Sequence, residues 1–241
     1  MCDKNCSFDL SKRHLLKLSA GAVAFAAVGG LPSVSYAASL TKEERDAMTP
    51  DQVIKSLLDG NQRFIKGEGV EHDYLAQQRT SQQGQYPSAV ILSCIDSRAP
   101  AEIVLDAGIG ELFNSRVAGN VSNSDILGSM EFATAVAGAK VIMVMGHTKC
   151  GAVQGAIANV EMGNLTSLLD KIKSAVGKTK FDGERTPENY AFVDAVAKTN
   201  VQLTLDEIRK NSETIRDLET KGTIKLVGVM YDISNGKVEL L

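Results

Sequence analysis

The sequence predicts an α/β fold in which a mainly parallel central β-sheet is flanked by helices. Two observations carry the prediction. A continuous apolar run at 89–92 is too short for a helix and reads as a strand buried on both faces, and the largely apolar stretches 140–145 and 224–231 read as further core strands. They alternate with longer stretches whose apolar residues recur at helical spacing. Strand–helix alternation of this kind gives a parallel sheet covered on both sides.

Each element follows in order. Thr49-Pro50-Asp51-Gln52 combines an N-cap threonine, a proline in the first turn and a glutamine placed to close a capping box. Behind it Val53, Ile54, Leu57, Leu58, Phe64 and Ile65 recur on one helical face. The polar stretch 67–87 reads as loop with a short helix. Residues 89–92 form the first buried strand, 111–116 a weaker one, and 122–138 a helix. Residues 140–145 form a second buried strand that Gly146 is expected to end. Helical patterns then fill 151–161, 165–176 and 187–221. A last core strand covers 224–231, and Asn235-Gly236 turns the chain tightly into a hairpin edge strand at 237–241.

With 241 residues, 44% of them hydrophobic, the chain can build one sizeable core but is short for two. Its formal charge of −3 argues against a nucleic-acid partner, which selects a basic surplus. The absence of Trp, with aromatics at 5%, argues against a stacking surface for single strands or sugars.

Residues 1–37 differ in kind. A basic stretch ending Lys12-Arg13 leads into an Ala-rich apolar run and then Ser35-Tyr36-Ala37, the layout of a secretory signal peptide. The apolar run is glycine-interrupted and shorter than the ~20 residues a membrane span needs. No membrane attachment is expected after cleavage. Ser11-Lys12-Arg13-His14-Leu15 is similar to a twin-arginine signal, with Lys12 at the first arginine position, so the expected destination is the periplasm. Cleavage leaves a domain at 38–241 with an N-terminal helical arm. It removes four of the 26 Lys/Arg and two of the 29 Asp/Glu, which takes the charge to −5. Cys2, Cys6 and His14 leave with the signal, so Cys94, Cys150, His72 and His147 remain. His72 lies in a polar segment and is expected to face solvent.

Cys94 directly follows one buried strand, and His147 and Cys150 follow another. In a parallel sheet both positions sit at the strands' carboxyl ends, where ligands bind. Gly146-His147-Thr148-Lys149-Cys150-Gly151 can turn a nitrogen and a sulfur into one pocket. With Cys94 this makes a donor set that zinc accepts at ~2.0–2.3 Å. Spacing alone leaves a Cys94–Cys150 disulfide equally open in an exported protein. Three protein ligands leave a fourth position for water, whose pKa zinc lowers to about 7. Asp96 is near enough to orient that water or to become a fourth ligand itself, and Arg98 can grip its carboxylate.

Cys94-Ile95-Asp96-Ser97-Arg98, followed some fifty residues later by the His147–Cys150 motif, resembles the beta-class carbonic anhydrases. The resemblance extends from about Leu40 to the C-terminus and takes in Gly119-Asn120 and Val229-Met230-Tyr231-Asp232-Ile233. It implies the family's parallel sheet, N-terminal helices that embrace a second subunit, and a dimer or tetramer. It implies one zinc per subunit held by Cys94, His147 and Cys150, and reversible hydration of carbon dioxide to bicarbonate and a proton by zinc-bound hydroxide. Asp96 and Arg98 match the catalytic pair. Gln85, Phe113 and Phe132 match substrate-pocket positions, although the family more often has tyrosine where Phe132 stands. The same fold also serves carbonyl sulfide and carbon disulfide hydrolases, which remain an alternative. A non-catalytic exported domain with a Cys94–Cys150 disulfide is the other.

Overall fold

The computed structural model describes residues 38–241 together with the two-residue strand Ser35–Tyr36. The export signal read at residues 1–37 otherwise falls outside the described residues. In chain order the elements begin with β1 (Ser35–Tyr36), α1 (Lys42–Ala47), α2 (Pro50–Lys66), β2 (Glu71–His72) and α3 (Tyr74–Thr80). There follow β3 (Ala89–Ser93), α4 (Ala101–Val104), β4 (Leu112–Arg116), α5 (Ser124–Glu131) and β5 (Val141–His147). The C-terminal half adds α6 (Gly151–Ile157), α7 (Gly163–Lys178), α8 (Tyr190–Asn211), α9 (Glu213–Thr220), β6 (Lys225–Tyr231) and β7 (Val238–Leu240). β1 and β2 pair in parallel as a small separate ladder.

The central sheet has the order β4-β3-β5-β6-β7. Its first four strands are parallel, and β7 returns antiparallel to β6 as the expected edge strand. Side chains alternate across it as a doubly covered sheet requires. Ala89 and Ile91 of β3 with Val141, Met143 and Met145 of β5 face α2 and α4, where Val53, Ile54 and Leu57 meet them. Val90 and Leu92 with Ile142 and Val144 face the other way, onto Ile172, Val193 and Val201. Each buried aliphatic side chain contributes about 1.5–3 kcal/mol. These seats, more than the caps, therefore fix the helices against the sheet.

The N-terminus of α2 forms as read, with Thr49 and Gln52 in a reciprocal capping box. Gly60 lets the helix touch α4, since a Cβ there would lie 2.0 Å from the Leu105 carbonyl oxygen. Asn61 beside it is fully buried; its amide donates to the carbonyls of Val104 and Gly236, and its oxygen accepts from Val238 N–H.

Three expectations are corrected. Gly146 does not end β5, which runs on through His147. A Cβ at Gly146 would sit 2.6 Å from Val201 and 2.8 Å from Met230, so the glycine serves the close approach of α8 to the sheet. The pattern at 187–221 is two helices, divided at Ser212, whose hydroxyl accepts from Ile215 N–H as the N-cap of α9. The helix at 122–138 ends as a π-helical turn, Phe132–Val136.

Candidate metal centre

β3 sends the chain to β4 on one side, while β5 lies on the other. The strand order therefore reverses between β3 and β5, which run parallel, and the carboxyl ends at such a switch point leave an open crevice. Cys94 lies one residue beyond β3, His147 is the last residue of β5, and Cys150 caps α6. Their ligating atoms all lie within 4.8 Å of one another, and all three residues are buried.

The two sulfurs are 4.0 Å apart and both cysteines are free, so the disulfide is not formed. A disulfide requires about 2.05 Å. His147 Nδ1 lies 2.9 Å from the Thr148 carbonyl, which assigns it the proton and leaves Nε2 as the acceptor. That Nε2 is buried with no hydrogen-bond partner. An orphaned imidazole lone pair beside two sulfurs is the arrangement a soft divalent cation satisfies.

The ionisation of the pair points the same way. The hydrogen bond from Cys150, with help from His147 and Gly119 N–H, brings the Cys94 thiol down to about 4 against the opposing effect of burial. The same hydrogen bond, burial and the Cys94 charge push Cys150 up. For His147, burial opposes the proton, but the Cys94 sulfur, the Thr148 carbonyl and the Asp96 charge together outweigh it and the imidazole is raised. A divalent cation would therefore meet Cys94 already as a thiolate and would displace the proton of Cys150.

Asp96 stands at the rim, with Oδ2 3.8 Å from His147 Nε2. Arg98 grips it three times. Its backbone N–H and Nε both reach Oδ1 at 2.9 Å, and Nη2 reaches Oδ2 at 2.7 Å. This grip holds the Asp96 carboxyl down to about 2 despite partial burial. Cys94, Ile95, Asp96, Ala118, Gly151, Ala152, Gly155, Val160, Leu165 and Leu169 line an open, mostly apolar pocket of about 390 Å³ at this point.

Gln85, Phe113 and Phe132 are not among the residues lining that pocket. Gln85 is exposed. Phe113 and Phe132 pack edge to face with centroids 6.2 Å apart, and Phe132 is half exposed. His72 does not face solvent as expected. Its side chain is enclosed, with Nε2 3.4 Å from Asp106 and Nδ1 3.1 Å from the Gln77 amide, because β2 turns it inward.

Other groups serve the site without a residue-type signature. Gly119 N–H donates to the Cys94 sulfur at 3.3 Å from a left-handed conformation, φ 70°, at which a side chain would strike Ile172. Arg116 donates to the carbonyls of Cys94 and Asp96 at 2.9 and 2.5 Å. A backbone donor cannot be seen in sequence, although the Gly119-Asn120 pair marks the place.

Two sulfurs and an imidazole nitrogen converging at the switch point of a parallel sheet, rimmed by a gripped carboxylate and an apolar pocket, form a donor set that suits a divalent metal ion. Comparison with known proteins agrees. The carbonic anhydrase family model matches residues 89–238. Carbonic anhydrase 2 of Mycobacterium tuberculosis (strain ATCC 25618 / H37Rv) is 34% identical over 188 residues, covering 77% of this chain and 90% of that protein. The carbonic anhydrase of Pseudomonas aeruginosa is 29% identical over 202 residues, covering 78% and 87%. Among solved structures, a tetrameric beta-carbonic anhydrase of Sordaria macrospora aligns with TM-score 0.59 at 28% identity, over 66% of this chain and 83% of that one. One of Aspergillus fumigatus aligns with TM-score 0.60 at 25% identity, over 68% and 79%. The chain belongs to the carbonic anhydrase family, in its beta class, and is an enzyme of that family.

Proposed function

We propose that this enzyme catalyses the reversible hydration of carbon dioxide, with one zinc per chain held by Cys94, His147 and Cys150. The observation that carries the reading is the convergence of these three donors, within 4.8 Å, beside an apolar pocket and a gripped carboxylate. Zinc, when bound, supplies Lewis-acid activation that makes hydroxide available near neutral pH.

The chain's own residues do the rest. Asp96, ionised throughout the neutral range, accepts the hydrogen bond of the attacking oxygen and aims it. Arg98 occupies both carboxylate oxygens and so limits rotation of Asp96 toward the metal position, where it could serve as a fourth ligand. The apolar wall of Ala118, Leu165 and Leu169 suits a small uncharged substrate and disfavours charged competitors. Gln85, Phe113 and Phe132 lie outside the single-chain pocket. A substrate role for them requires a second copy of the chain to bring them to it, and self-association into a dimer or tetramer is part of the proposal.

Residues 1–37 support a further part, export to the periplasm through a twin-arginine-like signal. Among the described residues no helix is long and apolar enough to cross a membrane. Fractionation of a producing cell tests the location, and a cytoplasmic, uncleaved chain would end that part.

The reaction is tested by zinc analysis and stopped-flow carbon dioxide hydration on the purified chain, with carbon disulfide as the competing substrate. Stoichiometric zinc and rapid hydration are expected. Turnover of carbon disulfide with none of carbon dioxide would move the reading to the sulfide hydrolases.

A further inference from the structure

The turn that carries two of the three ligands is held at its crest by a side chain from a distant helix. His147 leaves β5, Thr148 N–H donates to Tyr231 O at 3.0 Å, and the Thr148 hydroxyl accepts from Ile233 N–H at 3.1 Å. Those contacts anchor the start of the turn. Cys150 at its end opens α6. Between them Lys149 adopts φ 54°, a left-handed conformation that is strained for an L-residue with a Cβ and persists only when surroundings impose it.

The imposing group is Asp194. Its Oδ1 accepts Lys149 N–H at 2.7 Å. Asp194 sits near the start of α8, whose neighbouring Val193, Val196, Ala197 and Val201 are buried in the core, so the carboxylate is delivered from a rigid body. The other side of the Lys149 backbone also matters, because its carbonyl faces Arg98 Nη2 at 3.4 Å. Arg98 in turn grips Asp96. Lys149 N–H is at the surface, where water could satisfy it equally well. The contact therefore fixes a shape more than it satisfies a donor.

We infer that Asp194 is a positioning residue for this centre: by holding Lys149 left-handed it sets the separation of His147 and Cys150 and the seat of Arg98. It touches neither the metal position nor the reacting atoms. The kinetic part of the inference rests on the carbon dioxide reading; the metal-affinity part does not.

The test compares the full chain with Asp194→Ala, Asp194→Asn and the pair Asp194→Ala with Lys149→Gly. Zinc affinity is read by competition with a chromophoric chelator, and kcat and KM by stopped-flow hydration. Asp194→Ala should weaken zinc about 10–100-fold, the usual effect of losing a group that orients a ligand, and should lower kcat with KM little changed. Asparagine keeps an acceptor oxygen and should restore nearly all of both. Glycine at 149 adopts the left-handed conformation unaided and should recover most of the alanine loss. An Asp194→Ala protein with parental zinc affinity and kcat overturns the inference. So does an alanine loss that neither asparagine nor Lys149→Gly repairs, which would mark Asp194 as a general fold element. If the parent binds zinc yet hydrates no carbon dioxide, the proposed reaction fails and the affinity series alone decides the role of Asp194.

Discussion

Replacing Arg98 with alanine isolates the grip on Asp96. Two of the three contacts, from Nε and Nη2, disappear, while the backbone N–H of residue 98 still reaches Oδ1. A hydrogen bond to a charged group contributes about 1.5–3 kcal/mol when sheltered, and an exposed ion pair about 1 kcal/mol or less. The Arg98 side chain is 53% exposed and that of Asp96 only 14%. The bidentate pair therefore falls between these limits, at about 1–3 kcal/mol of carboxylate orientation, or roughly 5–150-fold in kcat/KM. Stopped-flow hydration with a pH indicator reads this directly, and zinc content should stay at the parental level because no ligand is altered. Arg98→Lys should recover little, since an ammonium cannot span both oxygens. The pH dependence has a defined sign. Asp96 is depressed from 3.8 to about 2 in the folded chain, so its pairing stabilises the fold above 3.8 and that stabilisation is lost as pH falls toward 2. The difference in unfolding midpoint between parent and Arg98→Ala should shrink over that interval. A zinc-replete Arg98→Ala protein with kcat/KM within about twofold of the parent would refute the reasoning and make Arg98 a solvated surface charge.

Three further outcomes are expected. Chelating the metal should leave Cys94, a thiolate on the pocket wall, reactive toward a small thiol reagent, with Cys150 reacting far more slowly, and zinc should protect both; equal reactivity with and without zinc would contradict the ligand assignment. Gly60→Ala should lower the thermal midpoint and cost about 1–3 kcal/mol, because its Cβ would meet the immovable Leu105 carbonyl at 2.0 Å; an unchanged melt would mean α2 shifts freely. Asn61→Leu should cost a similar or larger amount by orphaning the carbonyls of Val104 and Gly236 and the N–H of Val238, read by urea unfolding, while leaving zinc affinity untouched.

Much of the fold is visible in the sequence because both sheet faces are buried. Val90, Ile91 and Leu92, like Val141 to Met145, must be apolar at every position, and an unbroken short run of that kind has few other readings. The helix after Thr49 is visible for a different reason, since its cap is a local interaction among four consecutive residues. What escapes is set by distant partners. Gly146 looks like a terminator until Val201 is seen against it, and Ser212 divides two helices inside one continuous amphipathic pattern. The same division holds at the site. Cys94, His147, Cys150, Asp96 and Arg98 are side-chain types in short motifs. By contrast, Gly119 acts through its backbone, and Asp194 lies 44 positions beyond Cys150 with no motif around it. His72 is misread for a related reason: its polar neighbours suggest solvent, while Asp106 and Gln77 enclose it.

The seat of α8 on the sheet has a consequence for how the centre comes into being. Asn200 on that helix donates to the Gly119 carbonyl at 2.8 Å, and Asp194 holds Lys149, so one late segment braces both halves of the ligand set. During synthesis Cys94 and Cys150 are both made before residues 190–211 exist. The two sulfurs therefore spend an interval as ordinary thiols, open to oxidation or to the wrong ion, and the centre takes its final shape only when the C-terminal fifth of the chain arrives.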